Sequence, residues 1–251
     1  MNTIDKVLKV AKSQVGYLEK KSNSLLDSFK ENAGKKNFTK YAREYQKFAG
    51  VNLQGQAWCD MFVDFCFVIA FGKEIAKKLL GNFSAYTPTS AQYFKNMKQW
   101  HTAPRIGDVI FFKNSERINH TGIVTEVSNT KVYTIEGNTS DGEEIIPNGG
   151  GVCEKSYILS NSRIAGYGRP NYDYAVPLKT ITDKSSYYDV IWLQMKLNKA
   201  FKALNIDLQI AEDGKYGKQT RQAVIKYYTL QGWKSEGIKV GIYGKGRLSK
   251  Y

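Results

Sequence analysis

The segment Cys59–Phe71 constrains the fold most, because it is apolar almost all the way round and carries charge only at Asp60 and Asp64. Such a helix is stable only when neighbouring elements cover every face, so we expect it in the middle of a domain. It falls short of the roughly 18 apolar residues that a membrane span needs, and Gly72 ends it. The chain must therefore build a core around this helix, and its hydrophobic content of 42% is sufficient for one.

The spacing of apolar residues changes along the chain from a helical period to an alternating one. Three further helices are predicted before the change: Thr3–Val15, Lys40–Phe48 and Ser90–Trp100. Five strands are predicted after it: Asp108–Phe112, His120–Val127, Lys131–Glu136, Gly151–Cys153 and Ile164–Tyr167. Helices followed by strands predict an α+β fold in which N-terminal helices pack on an antiparallel sheet.

The C-terminal part of the chain predicts a separate, small helical domain. Pro170, Pro177 and a polar stretch interrupt the pattern, so we place a linker at residues 173–185, between domains of residues 1–172 and 186–251. The second domain is predicted to contain two helices and two glycine turns: Asp189–Phe201, Asp213–Gly217, Arg221–Tyr228 with Thr220 as its cap, and Gly241–Gly246.

Cys59 is the candidate nucleophile, because it stands at the predicted start of the buried helix. The free backbone N–H groups and the helix dipole favour a thiolate there, and the same N–H groups can hold an oxyanion. Cys66 lies two helical turns further on, about 10 Å away, which is too far for a disulfide and typical of a core residue. Cys153 has no partner in the sequence, and we expect a structural role for it.

A thiolate nucleophile needs a base, and the chain has two histidines. His101 lies in a loop, where an inert role is expected, whereas His120 begins a strand of a predicted hairpin. If Ser128–Thr130 is a three-residue loop, the residue numbers of each pair across the hairpin add up to 258. His120 then lies opposite Asn138. Side chains two apart on a strand share a face, so Glu136 is expected beside both.

The predicted hairpin places a carboxylate and an amide beside His120. Such a group fixes the tautomer and the orientation of a histidine ring, so it can complete a catalytic set of nucleophile, base and orienting group. Gly122 would face Glu136 and leave open space between the side chains. Two alternatives stay open. Glu136 and Asn138 can be turn residues beside Gly137, and a register slip of one residue would send His120 to the other face.

The first 170 residues resemble the CHAP family (cysteine, histidine-dependent amidohydrolases/peptidases), a papain-like group of peptidoglycan hydrolases. Six ordered motifs carry the resemblance: Gln14–Tyr17, Trp58–Val63, Arg105–Phe112, Asn119–Val124, Thr134–Asn138 and Gly166–Pro170. The resemblance implies the following roles: nucleophile Cys59, base His120, orienting group Glu136, further polar site member Asn138, and substrate contacts Gln56 and Trp58.

Two departures from the family concern charge. Asp60 stands where small residues are common in this group, and a carboxylate there would oppose thiolate formation. Some CHAP enzymes bind calcium through an acidic loop near the N-terminus, but here the segment Asp27–Asn37 has only Asp27 and Glu31 among several lysines. We therefore expect no metal and no cofactor.

Residues 186–251 resemble a peptidoglycan-binding module of the small three-helix type. The resemblance is carried by these pieces: Leu193-Gln194, Leu197-Asn198, Asp213–Gly217, Thr220 and Ala223-Val224. It implies that the module targets the enzyme to the cell wall, and the alternative is an appendage that only stabilises the chain.

The formal net charge of +14 suits an anionic partner. Residues 1–170 hold 23 Lys/Arg and 16 Asp/Glu, and residues 171–251 hold 14 and 7, so each part carries +7. No run of four basic residues occurs, and the predicted hairpin 120–136 has one lysine and no arginine, which counts against a nucleic-acid-binding protein. We expect peptidoglycan and anionic wall polymers as partners, although a merely lysine-rich solvated surface is an open alternative.

The sequence thus predicts a peptidoglycan hydrolase that cuts an amide bond through a thioester, either an N-acetylmuramoyl-L-alanine amidase or a stem or cross-bridge endopeptidase. Met1–Gly16 alternates charge with apolar residues and lacks the core of a secretory signal, so we expect synthesis in the host cytoplasm and holin-dependent release, as for a phage endolysin. A bacterial or mobile-element hydrolase is the alternative origin. We expect a monomer without membrane insertion, and a non-catalytic wall-binding protein is the alternative function.

Overall fold

The computed structural model describes residues 3–142, 144–172, 180–185, 187–233, 240, 247–248 and 251. The chain divides into two compact units, one of residues 4–174 and one of residues 175–251 with the first three residues. Most of the predicted linker (173–179) and the predicted turn Gly241–Gly246 lie outside the described residues. Within the described part of the chain, no helix is both long and apolar enough to cross a bilayer.

The described residues of the first unit form five helices and six strands. The helices are α1 (Thr3–Lys12), α2 (Lys40–Ala49), α3 (Cys59–Phe71), α4 (Lys73–Leu80) and α5 (Thr87–Asn96). The strands are β1 (Trp100–His101), β2 (Val109–Lys113), β3 (Ile118–Val127), β4 (Lys131–Thr139), β5 (Gly151–Ile158) and β6 (Ile164–Gly168). The α+β prediction is confirmed, while α4 and β1 were not predicted.

Local sequence explains where the helices around the site begin and end. The Thr39 side chain accepts a hydrogen bond from the backbone N–H of Ala42 and caps α2, which ends at Gly50 in the left-handed conformation. Gly72, with φ of 80°, separates α3 from α4, because few other residues adopt that conformation without strain.

The six strands form one antiparallel sheet in the order β1-β6-β2-β3-β4-β5. α3 packs against β3 and β4, and on its other sides against α2 and α4. Every residue from Cys59 to Phe67 is buried, as expected for a helix without a polar face. This packing brings the start of α3 to the two strands that carry His120 and Glu136.

The register of the β3–β4 hairpin is as predicted at the site end, but not at the turn. Ile123 pairs with Ile135, so the residue numbers of this pair add up to 258 as predicted. Near the turn Val127 pairs with Val132, which is one residue beyond the predicted partner. A β-bulge that follows Val124 absorbs the extra residue. The bulge compensates for the shift of one residue at the turn, so the side chains of the site stay on the predicted face of the hairpin.

The part of the second unit that the structure describes includes the helices α6 (Tyr187–Ala203) and α7 (Lys218–Leu230). Buried side chains of both helices form its core, including Leu193, Leu197, Phe201, Val224 and Tyr227. The predicted cap Thr220 is wrong, because Gly217 occupies the N-cap and Thr220 is buried one turn inside α7. There its hydroxyl accepts a hydrogen bond from Gln194, which also binds Asp213 and holds the glycine turn against α6.

Candidate active site

Cys59 is the first residue of α3 and is 5% exposed. The backbone N–H groups of Asp60 and Thr121, together with its own, lower the pKa of the thiol. Thr121 directly follows His120 on β3, and α3 packs against this strand, so the helix that begins with Cys59 lies beside the strand that carries the histidine.

The pKa of the Cys59 thiol is raised above its ordinary value, first by burial and then by the charge of Asp60. The three N–H groups lower the pKa, as expected for a helix start, but desolvation outweighs them. The prediction of a lowered pKa is therefore wrong for this conformation. The thiol is neutral until a base removes its proton.

His120 and Glu136 form a completely buried pair, with 2.8 Å between His120 Nε2 and Glu136 Oε2. In the described part of the chain, His120 Nδ1 is buried and has no hydrogen-bond partner. When Nε2 carries the proton and donates it to the carboxylate, Nδ1 is the basic nitrogen. The pair therefore holds the imidazole in the state that a general base requires.

Two further side chains bind Glu136. The Thr134 hydroxyl donates to Oε1 at 2.6 Å, and the Tyr157 hydroxyl donates to Oε2 at 3.2 Å. Sequence reasoning missed both. Thr134 could have been found, since it lies two positions before Glu136 on the same face of β4. Tyr157 could not, because it reaches the site through the pairing of β5 with β4.

Asn138 lies just beyond Glu136, where β4 departs from regular pairing with β5. Its φ of 59° is in the left-handed region, which asparagine tolerates better than most residues. Its backbone carbonyl accepts a hydrogen bond from Gly149, while its fully buried side-chain amide has no partner among the described residues. The amide is thus free to bind a group that enters the site.

Gly122 does not leave open space, which corrects the prediction. It faces Glu136 as expected, but a Cβ at this position would lie 2.4 Å from Glu136 Cγ and 2.9 Å from the carbonyl oxygen of Ile135. The carboxylate side chain fills the room that the missing Cβ provides. Glycine is therefore needed here for the close approach of Glu136 to β3.

The two predicted substrate contacts differ in their surroundings. Trp58 is completely buried, stacks on Tyr41 with 5.2 Å between ring centroids, and donates its indole N–H to Glu19 at 3.0 Å. The structure therefore gives Trp58 a packing role and leaves none of its ring for a substrate. Gln56 is exposed on the loop before α3.

The carboxyl group of Asp60 lies in a buried environment. It accepts a hydrogen bond from the Ser90 hydroxyl at 2.9 Å, and burial raises its pKa to about 7. Asp64, one turn further along α3, is also buried, and its pKa is raised well above the ordinary value by burial and then by the charge of Asp60. The helix that begins with the candidate nucleophile thus carries two buried carboxyl groups with raised pKa values.

The other cysteines and the second histidine lie outside this arrangement. Cys59, Cys66 and Cys153 are all free thiols, and Cys66 is completely buried in the core, as predicted. Cys153 is half-buried on β5. His101 lies on β1, which β6 and β2 separate from β3.

The described residues contain no group of three or more His, Cys, Asp or Glu side chains that could hold a metal ion. A surface cavity of about 560 Å³ includes Asp27 and Glu31 in its lining. Asp27 is already bound by both terminal nitrogens of Arg43, at 2.7 and 2.8 Å. This ion pair neutralises the acidic end of the segment Asp27–Asn37.

Residues 51–138 match the family model described as "CHAP domain". This segment of the chain is therefore similar to a CHAP domain. The match begins ahead of Cys59 and ends at Asn138, so it contains the thiol, the His120–Glu136 pair and the free amide. CHAP domains are typically cysteine- and histidine-dependent amidases or peptidases.

Comparison with other proteins adds little to the CHAP match. No curated protein sequence matches the chain. A solved structure described as "The crystal structure of Ly7917" is similar at a TM-score of 0.40 and 10% sequence identity, over 71% of this chain and 64% of that chain.

Proposed function

We propose that the protein cleaves an amide bond of peptidoglycan with Cys59 as nucleophile and His120 as base. One observation supports this proposal most: Glu136 binds Nε2 of His120 and leaves Nδ1 free, on the strand against which the helix of Cys59 packs. This is the arrangement of nucleophile, base and orienting group that covalent catalysis requires.

In the first half of the reaction, His120 Nδ1 takes the proton of the Cys59 thiol as the sulfur attacks the amide carbonyl. Because burial raises the pKa of the thiol, attack by the sulfur needs a base that removes this proton. The oxyanion forms at the start of α3, where the first backbone N–H groups of the helix have no partner within the helix and can stabilise the developing charge. The imidazolium then protonates the leaving amine, and a thioester remains on Cys59.

In the second half, water enters and His120 Nδ1 takes its proton as the oxygen attacks the thioester carbonyl. The carbon–sulfur bond breaks, the sulfur recovers the proton from the imidazolium, and a carboxylic acid leaves. Glu136 keeps its hydrogen bond to Nε2 and stabilises the imidazolium that forms in each half. The free amide of Asn138 and the exposed Gln56 are available to bind the substrate backbone.

We further propose that the second unit holds the enzyme on the wall and that the protein acts as an endolysin. Its +7 charge over residues 171–251 suits anionic wall polymers, and attachment to an insoluble substrate raises the local substrate concentration. An endolysin of this kind would leave the cytoplasm through a holin.

The test compares the full-length wild type with Cys59→Ala on purified peptidoglycan, with Cys153→Ser as the matched thiol control. Cys59→Ala should release no fragments while it still sediments with the walls, and Cys153→Ser should behave like the wild type. Mass spectrometry of the fragments then separates an endopeptidase, which creates new N-termini within peptides, from an amidase, which frees the sugar chains. Normal fragment release by Cys59→Ala would remove Cys59 as nucleophile, and wall binding without release by the wild type would favour a non-catalytic binding protein.

A further inference from the structure

The carboxylate of Glu136 is enclosed by hydrogen-bond donors from three strand positions. His120 on β3, Thr134 on β4 and Tyr157 on β5 all reach it, at 2.8, 2.6 and 3.2 Å. The four side chains are nearly or completely buried, with at most 3% of any of them exposed. An ionised carboxylate in such a place depends on its donors, because water does not solvate it.

The rings around the carboxylate are packed as one unit. Phe112 stacks on the His120 ring, with 5.8 Å between centroids and 27° between planes. The same Phe112 meets Tyr157 edge-on at 4.9 Å. One buried side chain of β2 therefore fixes both the imidazole and the phenol that share Glu136 Oε2.

The Tyr157 hydroxyl is suited to permanent donation. Burial, followed by the charge of Glu136, raises the pKa of Tyr157 far above its ordinary value, so the phenol keeps its proton at every working pH. Thr134 binds the other oxygen and prevents the carboxylate from rotating about its last bond. The two hydroxyl groups thus leave Oε2 in one orientation toward His120.

We infer that Thr134 and Tyr157 are positioning residues, which lock Glu136 so that His120 presents Nδ1 to the candidate nucleophile. The inference rests on the proposed function for its role in catalysis. The locked geometry itself, however, is a property of the resting protein and can be measured without any substrate.

The test uses Tyr157→Phe and Thr134→Val, each of which removes one hydroxyl group and little else. The matched control is Tyr167→Phe, because Tyr167 is buried in the same cluster as Tyr157 and no hydrogen bond joins it to Glu136 among the described contacts. All variants carry His101→Gln, which leaves His120 as the single histidine in the NMR spectrum.

The first readout is the exchange of the His120 Nε2–H proton with water. A bond to a charged acceptor contributes enough that its loosening should speed exchange about tenfold or more in Tyr157→Phe and Thr134→Val, with no change in Tyr167→Phe. The second readout is fragment release from soluble peptidoglycan, where kcat should fall about tenfold and KM should stay constant. A merely structural role would lower the melting temperature without moving either readout.

The outcomes separate this inference from the proposed function. In one outcome, proton exchange is faster in both variants but even the wild type releases no fragments. This result would uphold the positioning role and overturn the proposed hydrolase. Unchanged exchange and unchanged kcat in both variants, in an active wild type, would overturn the positioning role alone.

Discussion

The close approach of Glu136 to Gly122 makes Gly122→Ala the most direct perturbation of the site. The new Cβ would lie 2.4 Å from Glu136 Cγ, whereas carbon atoms in contact are about 3.5–4.0 Å apart, so Cγ must move by about 1.1 Å or more. The carbonyl oxygen of Ile135 lies 2.9 Å from the same Cβ. Because it belongs to the backbone of the neighbouring strand, it moves less easily than a side chain. The 2.8 Å bond between Glu136 and His120 would stretch beyond about 3.5 Å and be lost.

The expected size of the effect follows from these distances. Overpacking costs about 1–3 kcal/mol, and loss of a hydrogen bond to a charged group costs about 1.5–3 kcal/mol. Taking about 3 kcal/mol in total, the melting temperature should fall by about 6–12 °C for a unit of this size. Without its orienting carboxylate His120 loses its role as base, and the rate of fragment release should fall about 100-fold or more.

The assays are thermal unfolding by circular dichroism and fragment release from purified peptidoglycan. Gly217→Ala is the matched control, because its Cβ would meet nothing within 4 Å and its φ of −88° suits any residue. Gly217 is the N-cap of α7, where alanine is less favourable than glycine, so a small fall in melting temperature is expected, whereas the variant's rate of fragment release should equal that of the wild type. A Gly122→Ala protein that melts and cuts like the wild type would refute the reasoning about Glu136.

Three more predictions concern neighbouring groups and charge. Burial raises the pKa of Asp60 from 3.8 to about 7, so the folded protein keeps a proton that the unfolded chain releases, and stability falls as pH rises from about 4 to 7. Asp60→Asn should flatten this fall in urea unfolding and, by removing a nearby charge, should shift alkylation of Cys59 to lower pH. Glu19→Ala should destabilise the protein by about 1–3 kcal/mol in the same assay, because it leaves the Trp58 indole N–H buried without its acceptor, and Glu19→Gln should cost less. Retention of the Cys59→Ala protein on walls should weaken as salt rises from about 0.05 to 0.5 M, because screening shortens the reach of the +14 charge, and salt-independent retention would contradict an electrostatic contribution.

The helix α3 and the hairpin show how far local sequence reaches. The apolar content of Cys59–Phe71 predicted a buried central helix, and Gly72 predicted its end. The alternation of β3 and β4 predicted a shared face for His120 and Glu136, which the 2.8 Å bond confirms. These predictions succeeded because each rests on neighbours along the chain or across one short turn.

Other features required the assembled sheet. The turn pairing at Val127 was wrong by one residue, and only the bulge that follows Val124 kept the site in register. A bulge responds to the twist and packing of the whole sheet, so the hairpin sequence did not reveal it. The packing of β5 against β4 likewise supplied Tyr157 to Glu136, and the N-terminal segment supplied Glu19 to Trp58.

Sequence alone determined which residues carry the candidate chemistry, because both patterns involved are local. One is a thiol at a helix start, and the other is a histidine and a carboxylate on one face of a hairpin. Tertiary structure decided the state of those groups. Burial raised the pKa of Cys59 against the effect of the helix start, and it raised the pKa of Asp60 to about 7. Desolvation depends on every atom that surrounds a group, and those atoms come from distant parts of the chain.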